Sequence, residues 1–304
     1  MIALWGHPTD YPMIAVRQAL ATMGAAVLFI DQEQILETHL DLDVEQHATG
    51  TLRVGRERVA LANIGAVYLR PHDTLSLGAM STASTDVQSA AIEFERDLAA
   101  WANVTEAGVV NRPSAMASNA SKPHQTALIQ EHGFHVPKTL LTTDMSAVKR
   151  FWATHERVIF KSMSSVRSVV VELSTAHLAR LSDLTTCPVQ FQQLIVGTDV
   201  RVHVVGDDVF ACTIEADDTD YRYATKCVIM RTCELAAQVA NMCRQLSVSL
   251  GLRVAGIDLR RTPDGRWYCF EANPSPGFTF YAAQTMQPIG AAIASLLVRL
   301  DGAH

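Results

Sequence analysis

The stretch Val254–Gly277, VAGIDLRRTPDGRWYCFEANPSPG, constrains the fold more than any other part of this chain. Two strand-like runs, Val254–Leu259 and Trp267–Asn273, flank a turn containing Asp264–Gly265, a dipeptide suited to a two-residue hairpin loop. With that loop Pro263 faces Arg266, and counting back along both strands puts Asp258 opposite Glu271. Asn273 lies two residues beyond Glu271 and projects from the same face. Like charges directly opposite each other on a sheet repel, and their apolar neighbours make ionised carboxylates costlier still. A divalent cation is the simplest remedy. Two carboxylates and an amide oxygen are hard ligands, suited to Mg²⁺ carried in with a phosphate substrate. The competing reading is a pair of solvated acids, and a loop longer than two residues would break the pairing.

With 304 residues, 48% of them hydrophobic and 18% charged, the chain can bury a large core in two or three domains. A net charge of −6 argues against binding nucleic acid by bulk charge. No apolar run reaches the roughly 18–20 residues needed to span a bilayer, and MIALWGHPTDYPM has neither a basic start nor a long apolar core, so it is not read as a signal peptide. The six cysteines form no CxxC pair and sit mostly among apolar residues, which suits a reducing cytoplasm. His132 and His135 form an HxxH, but Gly133 lies between them where a helix ends, a poor zinc arrangement.

The opening reads as strand (Ile2–Trp5), helix (Tyr11–Met23, stopped by Gly24) and strand (Ala26–Asp31), the start of a parallel α/β domain. Ala66–Leu69 is a further strand, Thr85–Ala102 a long helix, and Arg112–Pro113 a domain boundary. Ser121 is expected to cap a helix running to Gly133, with Pro123 in its first turn. Val158–Lys161 and Val169–Glu172 are strands, Val189–Val196, Asp199–Val205 and Val209–Ile214 an antiparallel set, and Cys233–Leu250 a helix. The expected domains are therefore 1–112, 113–188 and 189–304.

Lys161 ends an apolar strand and faces a loop with Ser162, Ser164, Ser165 and Ser168, which can fold over a phosphate or be merely a loop. Lys122 sits at a helix N-terminus, where its charge opposes the macrodipole unless an anion also docks there. Asp199, Arg201 and His203 alternate with Val200, Val202 and Val204, so they share one face, a kind that is usually solvent-exposed. A second arginine, Arg222, lies in Asp220–Tyr221–Arg222–Tyr223. Two arginines, two lysines and a carboxylate pair meet the needs of phosphoryl transfer, without any GxxxxGK[ST] loop.

The ordered set Ser121–Lys122, Val158–Lys161, Gln190–Ile195, Gly197–Arg201, Asp220–Arg222, Gly256–Asp258 and Glu271–Pro274 resembles the ATP-grasp ligases. It is most similar to the RimK-like branch, and within it CPVQFQQLIVGTDVRVHVVGDDVFACTI, DYRY and VYLRPHD resemble the maturases of microviridin-type peptides. The resemblance implies an α/β and α+β ATP-grasp fold behind an N-terminal pre-ATP-grasp domain. It implies that Lys122 and Lys161 hold ATP phosphates, and that Gln192, Gln193, Leu194 and Ile195 form the adenine hinge with Asp199 near the ribose. Arg201 and Arg222 are then the catalytic arginines that stabilise a phosphorylated intermediate, and Asp258, Glu271 and Asn273 the ligands of two Mg²⁺ ions. The loop after Lys161 carries serines where ATP-grasp enzymes commonly carry glycines.

The activity implied is ADP-forming ligation of a carboxylate to an amine or hydroxyl. The partner expected is a peptide or small-molecule carboxylate, with no nucleic acid and no membrane, and family members often form homodimers. An amino-acid ligase of the same mechanism, a non-catalytic ATP- or peptide-binding module, and an unrelated α/β protein with an accidental acidic hairpin are the alternatives.

Overall fold

The computed structural model describes residues 1–43, 49–78, 80–117, 121–162, 170–181, 188–215 and 228–304. The first unit comprises β1 (Ile2–Gly6), α1 (Tyr11–Thr22), β2 (Val27–Asp31), the antiparallel meander β3 (Thr38–Asp43), β4 (Thr49–Val54) and β5 (Glu57–Ala60), then β6 (Ala66–Arg70), α2 (Thr85–Val104) and β7 (Gly108–Val110). Its parallel sheet has the order β2-β1-β6-β7. Alternate residues of these strands feed two cores. Ile2, Leu4, Tyr68 and Val110 join one cluster, while Ala3, Trp5, Val67, Leu69 and Val109 join the other, so both faces are covered as a parallel sheet requires. Asp10 starts α1 by accepting Met13 N–H at 3.0 Å, with a proline in the first turn.

Two helices follow, α3 (Pro113–Met116) and α4 (Lys122–Glu131). The central unit is β8 (Thr139–Thr142), α5 (Met145–His155), β9 (Val158–Ser162), β10 (Val171–Glu172), α6 (Thr175–Leu178) and β11 (Val189–Gln193). Its sheet order is β10-β9-β11-β8. Val189–Gln193 was expected to open the C-terminal domain, but β11 pairs antiparallel with both β9 and β8. The expected boundary between 188 and 189 thus falls inside this sheet. The physical reason is the partnering of Phe191 with Phe160, which together with Val148, Val158 and Leu173 builds the core on the α5 side.

The third unit is β12 (Thr198–Val205), β13 (Asp208–Glu215), β14 (Ile229–Thr232), α7 (Ala237–Ser249), β15 (Val254–Arg261), β16 (Trp267–Asn273), α8 (Thr279–Thr285) and α9 (Ile289–Gly302). The sheet order is β14-β13-β12-β15-β16, all antiparallel. Val200, Val202, Val204, Ile257 and Leu259 pack with Val239, Cys243 and Leu246 of α7 and with Ile129 of α4. Helix α9 leaves this unit and closes the first one: Ile289, Ile293 and Leu297 pack with Leu4, Met13 and Leu20. The Met1 ammonium lies 2.6 Å from Asp301. No helix among the described residues is long and apolar enough to cross a membrane.

Candidate active site

The hairpin reaches the expected pairing by an unexpected route. Thr262 N–H donates to Arg266 O at 2.9 Å and Gly265 stands at φ +85°, so Pro263–Asp264–Gly265 form a three-residue loop with glycine in the left-handed position. That loop shifts the outer register by one, pairing Leu259 with Cys269 and Arg261 with Trp267. A β-bulge then leaves Phe270 as the extra residue, and Asp258 again faces Glu271.

Strand β12 extends this pair into a row of three, since Arg201 lies opposite Asp258 on its other side. The like charges are met by cations. Arg201 Nη1 lies 2.6 Å from Asp258 Oδ1 and Lys122 Nζ lies 3.1 Å from Glu271 Oε1. Helix α4, whose first residue is Lys122, is fixed beside β16 by Gln125. Its amide donates to Ala272 O at 2.9 Å and accepts from Ala272 N–H at 3.2 Å. Ser121 makes no side-chain cap. The charge of Lys122 at a helix N-terminus is therefore answered by Glu271. The carboxylates remain accessible at 37% and 31% exposure, and they are hard donors on one face, which fits a divalent cation. Asn273 is two residues from Glu271 on the same strand face, and its Oδ1 accepts Ser275 N–H at 2.8 Å.

The face carrying Arg201 and His203 is not solvent-exposed, contrary to expectation. Arg201 is 5% and His203 1% exposed, because α8 lays Tyr281 over them. Arg201 needs room in the sheet itself. A Cβ at Gly256 would lie 2.0 Å from Arg201 Nη2 and 2.7 Å from Pro276 Cβ, so only glycine leaves space for the guanidinium.

Asp199 binds Arg260 through both oxygens, at 2.6 and 2.8 Å, and Arg260 Nη1 donates to Ile195 O at 2.7 Å. The expected hinge residue Ile195 is thus tied to the C-terminal sheet, while Gln193 N–H donates to Lys138 O and Leu194 N–H to Arg157 O in the central unit. Gln192 reaches Thr139 Oγ1 at 3.1 Å. Lys161 pairs in register with Gln190, on the sheet face opposite Phe160 and Phe191.

Two side chains of the first unit hold the turn after Asn273. Asn111, 2% exposed, donates to Val254 O and Pro274 O, both at 2.7 Å, and accepts from Arg253 N–H at 2.8 Å and Val254 N–H at 3.1 Å. Arg70 Nη1 donates to Ser275 Oγ at 3.0 Å and Pro276 O at 3.1 Å, while its Nε binds Asp10 at 2.8 Å.

A family model for the RimK-like ATP-grasp domain matches residues 117–297, which contain the row, the hinge and the clasped turn. The chain belongs to the RimK-like ATP-grasp family. Among solved structures, macrocyclase MdnC bound with precursor peptide MdnA, from Microcystis aeruginosa MRC, superposes with a TM-score of 0.84. It is 22% identical and matches 98% of this chain and 100% of that one, a likeness of fold. ATP-grasp ligase PsnB, complexed with a phosphomimetic variant of its minimal precursor, Mg and ADP, has a TM-score of 0.81 and 27% identity over 98% of both chains. In sequence, human (Homo sapiens) beta-citrylglutamate synthase B is 28% identical over 208 residues, 62% of this chain and 52% of that protein, so the match spans about half the length of that relative. The fold is ATP-grasp, as the sequence resemblance implied.

Of the residues expected at a RimK-like site, Lys122, Arg201, Asp258, Glu271 and Asn273 gather on one sheet face and its flanking helix. Asp199 and Ile195 are linked to that sheet through Arg260, and Lys161 and Gln192 lie on the central sheet. Arg222 and the serines 164, 165 and 168 lie outside the described residues. Arg70, Asn111, Gln125, Gly256 and Tyr281 escaped the sequence reading as site residues. The string VYLRPHD carried a signal for Arg70, and GID one for Gly256. Among the described residues no group of three or more His, Cys, Asp or Glu is placed to hold a metal.

Proposed function

We propose that this chain is an ADP-forming ligase that activates a carboxylate as an acylphosphate and joins it to an amine or hydroxyl, modifying or crosslinking a ribosomal peptide. The observation that carries the reading is the row Arg201–Asp258–Glu271 with Lys122 beside it, where two acids and two cations converge. A substrate carboxylate oxygen attacks the γ-phosphorus of ATP and ADP leaves with the bond electrons. An amine or hydroxyl then attacks the acyl carbon and inorganic phosphate departs, the proton of the nucleophile passing to solvent. Lys122 and Lys161 hold phosphate oxygens, and residues 192–195 receive adenine. Asp199, braced by Arg260, stands near the ribose. Arg201 and Arg222 take up the charge that develops on the transferred phosphoryl group. Two Mg²⁺ ions at Asp258, Glu271 and Asn273 would neutralise phosphate charge when bound.

The reaction needs no protein nucleophile, and the thiols among the described residues are poor ones. Burial pushes Cys212 up to about 11 and Cys243 up to about 12. The peptide substrate is supported by the near full-length likeness to PsnB, whose structure holds a precursor. A second reading, addition of an amino acid to a small molecule or protein tail, is supported by the likeness to beta-citrylglutamate synthase B. A non-catalytic binding module is disfavoured by the complete Asp258, Glu271 and Asn273 set. We assign a cytoplasmic setting, in keeping with the free thiols at Cys212, Cys233, Cys243 and Cys269, with no nucleic-acid or membrane partner and with a homodimer as the expected assembly.

Incubation with ATP, Mg²⁺, free amino acids and a precursor peptide, followed by mass spectrometry, tests the assignment. Loss of water from the peptide indicates crosslinking. Gain of a residue mass indicates the second reading, and an unchanged peptide with no phosphate release overturns the peptide substrate.

A further inference from the structure

His203 is 1% exposed on the site face, and nothing in the proposed reaction uses it. Its Nε2 lies 3.4 Å from Arg201 Nε, and its ring meets Tyr281 edge-on with centroids 5.1 Å apart. A guanidinium Nε–H can only donate, so Nε2 must offer a lone pair. The proton of the neutral ring then sits on Nδ1. That atom is buried without a hydrogen-bond partner among the described residues. A buried, unpartnered N–H is destabilising and uncommon in native structures. The other tautomer would be worse here, because two N–H groups would then confront each other. An imidazolium would set two cations side by side. Burial first, and then the Arg201 charge, hold the imidazole well below the ordinary histidine value, which agrees with a neutral ring.

Among the described contacts of Arg201, Nη1 lies on Asp258, Nε beside His203 and Nη2 against Gly256, while the guanidinium carbon stands 5.1 Å from the Tyr281 ring centroid. Asp258 is itself accessible and would engage a cation during turnover, so its hold on Nη1 is the one that changes. His203 is buried under Tyr281 and Gly256 lies in the sheet backbone, so both persist. We propose that His203 is a positioning residue which, as the neutral Nδ1–H tautomer, fixes the orientation of Arg201 while Asp258 exchanges partners. The kinetic part of this inference rests on the reading of Arg201 as the group that stabilises the phosphorylated intermediate; the tautomer part does not.

Nitrogen-15 NMR of the histidine side chains in the intact protein, with His203→Phe used to assign the signal, tests the tautomer directly. The expected result at neutral pH is a ring protonated on Nδ1 alone. A proton on Nε2, or an imidazolium, overturns the proposal even if the protein proves to be a ligase. In kinetics, His203→Phe keeps the ring against Tyr281 but removes the acceptor. It should lower kcat about tenfold, the loss expected for one hydrogen bond to a charged group, with KM for ATP within about twofold. His203→Gln restores an acceptor and should recover most of kcat. Equal impairment of the two variants, or impairment of neither, overturns the positioning role. Should His203→Phe not fold, the tautomer in the wild type and kcat of His203→Gln decide. A wild type that turns over no carboxylate defeats the proposed function and leaves the tautomer result standing on its own.

Discussion

Asp258 lies directly opposite Glu271 because two departures from a plain hairpin cancel: a loop one residue longer than the minimal turn, and a bulge at Phe270 that restores the register. Without the bulge, Glu271 would turn to the face that holds Leu259 and Ile257. Burying a carboxylate there would be prohibitive without a partner. The bulge therefore belongs to the site.

Asp258→Asn and Glu271→Gln should each abolish ADP release, Glu271→Gln with the thermal midpoint within about 3 °C of wild type. Glu271 is partly exposed and carries little of the core, so a surface-type change of about 0.5 kcal/mol is expected there; Asp258→Asn also takes the counter-charge from buried Arg201 and should cost more, about 1–3 kcal/mol. ADP release by both variants at the wild-type rate would remove the metal and phosphate assignment.

Lys161→Ala should raise the ATP concentration needed for half-maximal turnover about tenfold, the effect of losing one charge-assisted contact to phosphate. Nucleotide titration by calorimetry checks it, and unchanged affinity excludes Lys161 from the site.

The hairpin was legible in the sequence because its signals are local: apolar alternation, an Asp–Gly turn and acids at fixed offsets. The extra loop residue was not, since Thr262 faces Arg266 through contacts that no dipeptide preference encodes. Gln192 and Gln193 match the hinge motif, yet their strand belongs to the central sheet and not to the C-terminal one. What decides its place is the pairing of Phe191 with Phe160, thirty-one positions away in the chain. The partners of Asn111 and Arg70 were illegible for the same reason on a larger scale. They lie between Arg253 and Pro276, more than a hundred residues on, and although VYLRPHD singles out Arg70, no local pattern names what either side chain binds. The buried state of Arg201 and His203 depended on α8, whose covering role only the folded chain reveals.

Gly256→Ala should cost stability and activity together. The added methyl would stand 2.0 Å from Arg201 Nη2 with Pro276 closing the other side, so the guanidinium must leave its place. Overpacking of this kind costs about 1–3 kcal/mol. Urea unfolding should report that loss, and kcat should fall with it. A fully active, fully stable variant would show that Arg201 tolerates displacement.

Asn111→Ala should destabilise by about 3 kcal/mol. The amide satisfies two carbonyls and two N–H groups, all from segments that begin β15 or follow Asn273. Removing it strands several buried backbone groups at once. Because Pro274 is released next to Asn273, the Mg²⁺ concentration for half-maximal turnover should rise as well. A stability loss with an unchanged Mg²⁺ requirement would confine Asn111 to a structural role.

The Asp10–Arg70 pair predicts how acid weakens this fold. Burial alone would push the Asp10 carboxyl up, but the Arg70 hydrogen bond and charge, the Met13 N–H and the His72 charge outweigh it, leaving Asp10 below the ordinary aspartate value. A carboxyl depressed in the folded state takes up protons more readily when unfolded. Its stabilisation is therefore fully present above the ordinary aspartate value of about 3.9, and it is lost as pH falls from there through the lower folded value. Asp10→Asn keeps an N-cap for α1 but removes the titration. The stability difference between wild type and Asp10→Asn, from urea unfolding at a series of pH values, should be constant above about pH 5 and shrink below about pH 4. A difference that grows on acidification would contradict the depressed carboxyl. Arg70 also holds Ser275 and Pro276, so loosening Asp10 reaches the turn after Asn273. Acid should thus raise the Mg²⁺ requirement of the wild type more than that of Asp10→Asn, in which the turn is already released at neutral pH.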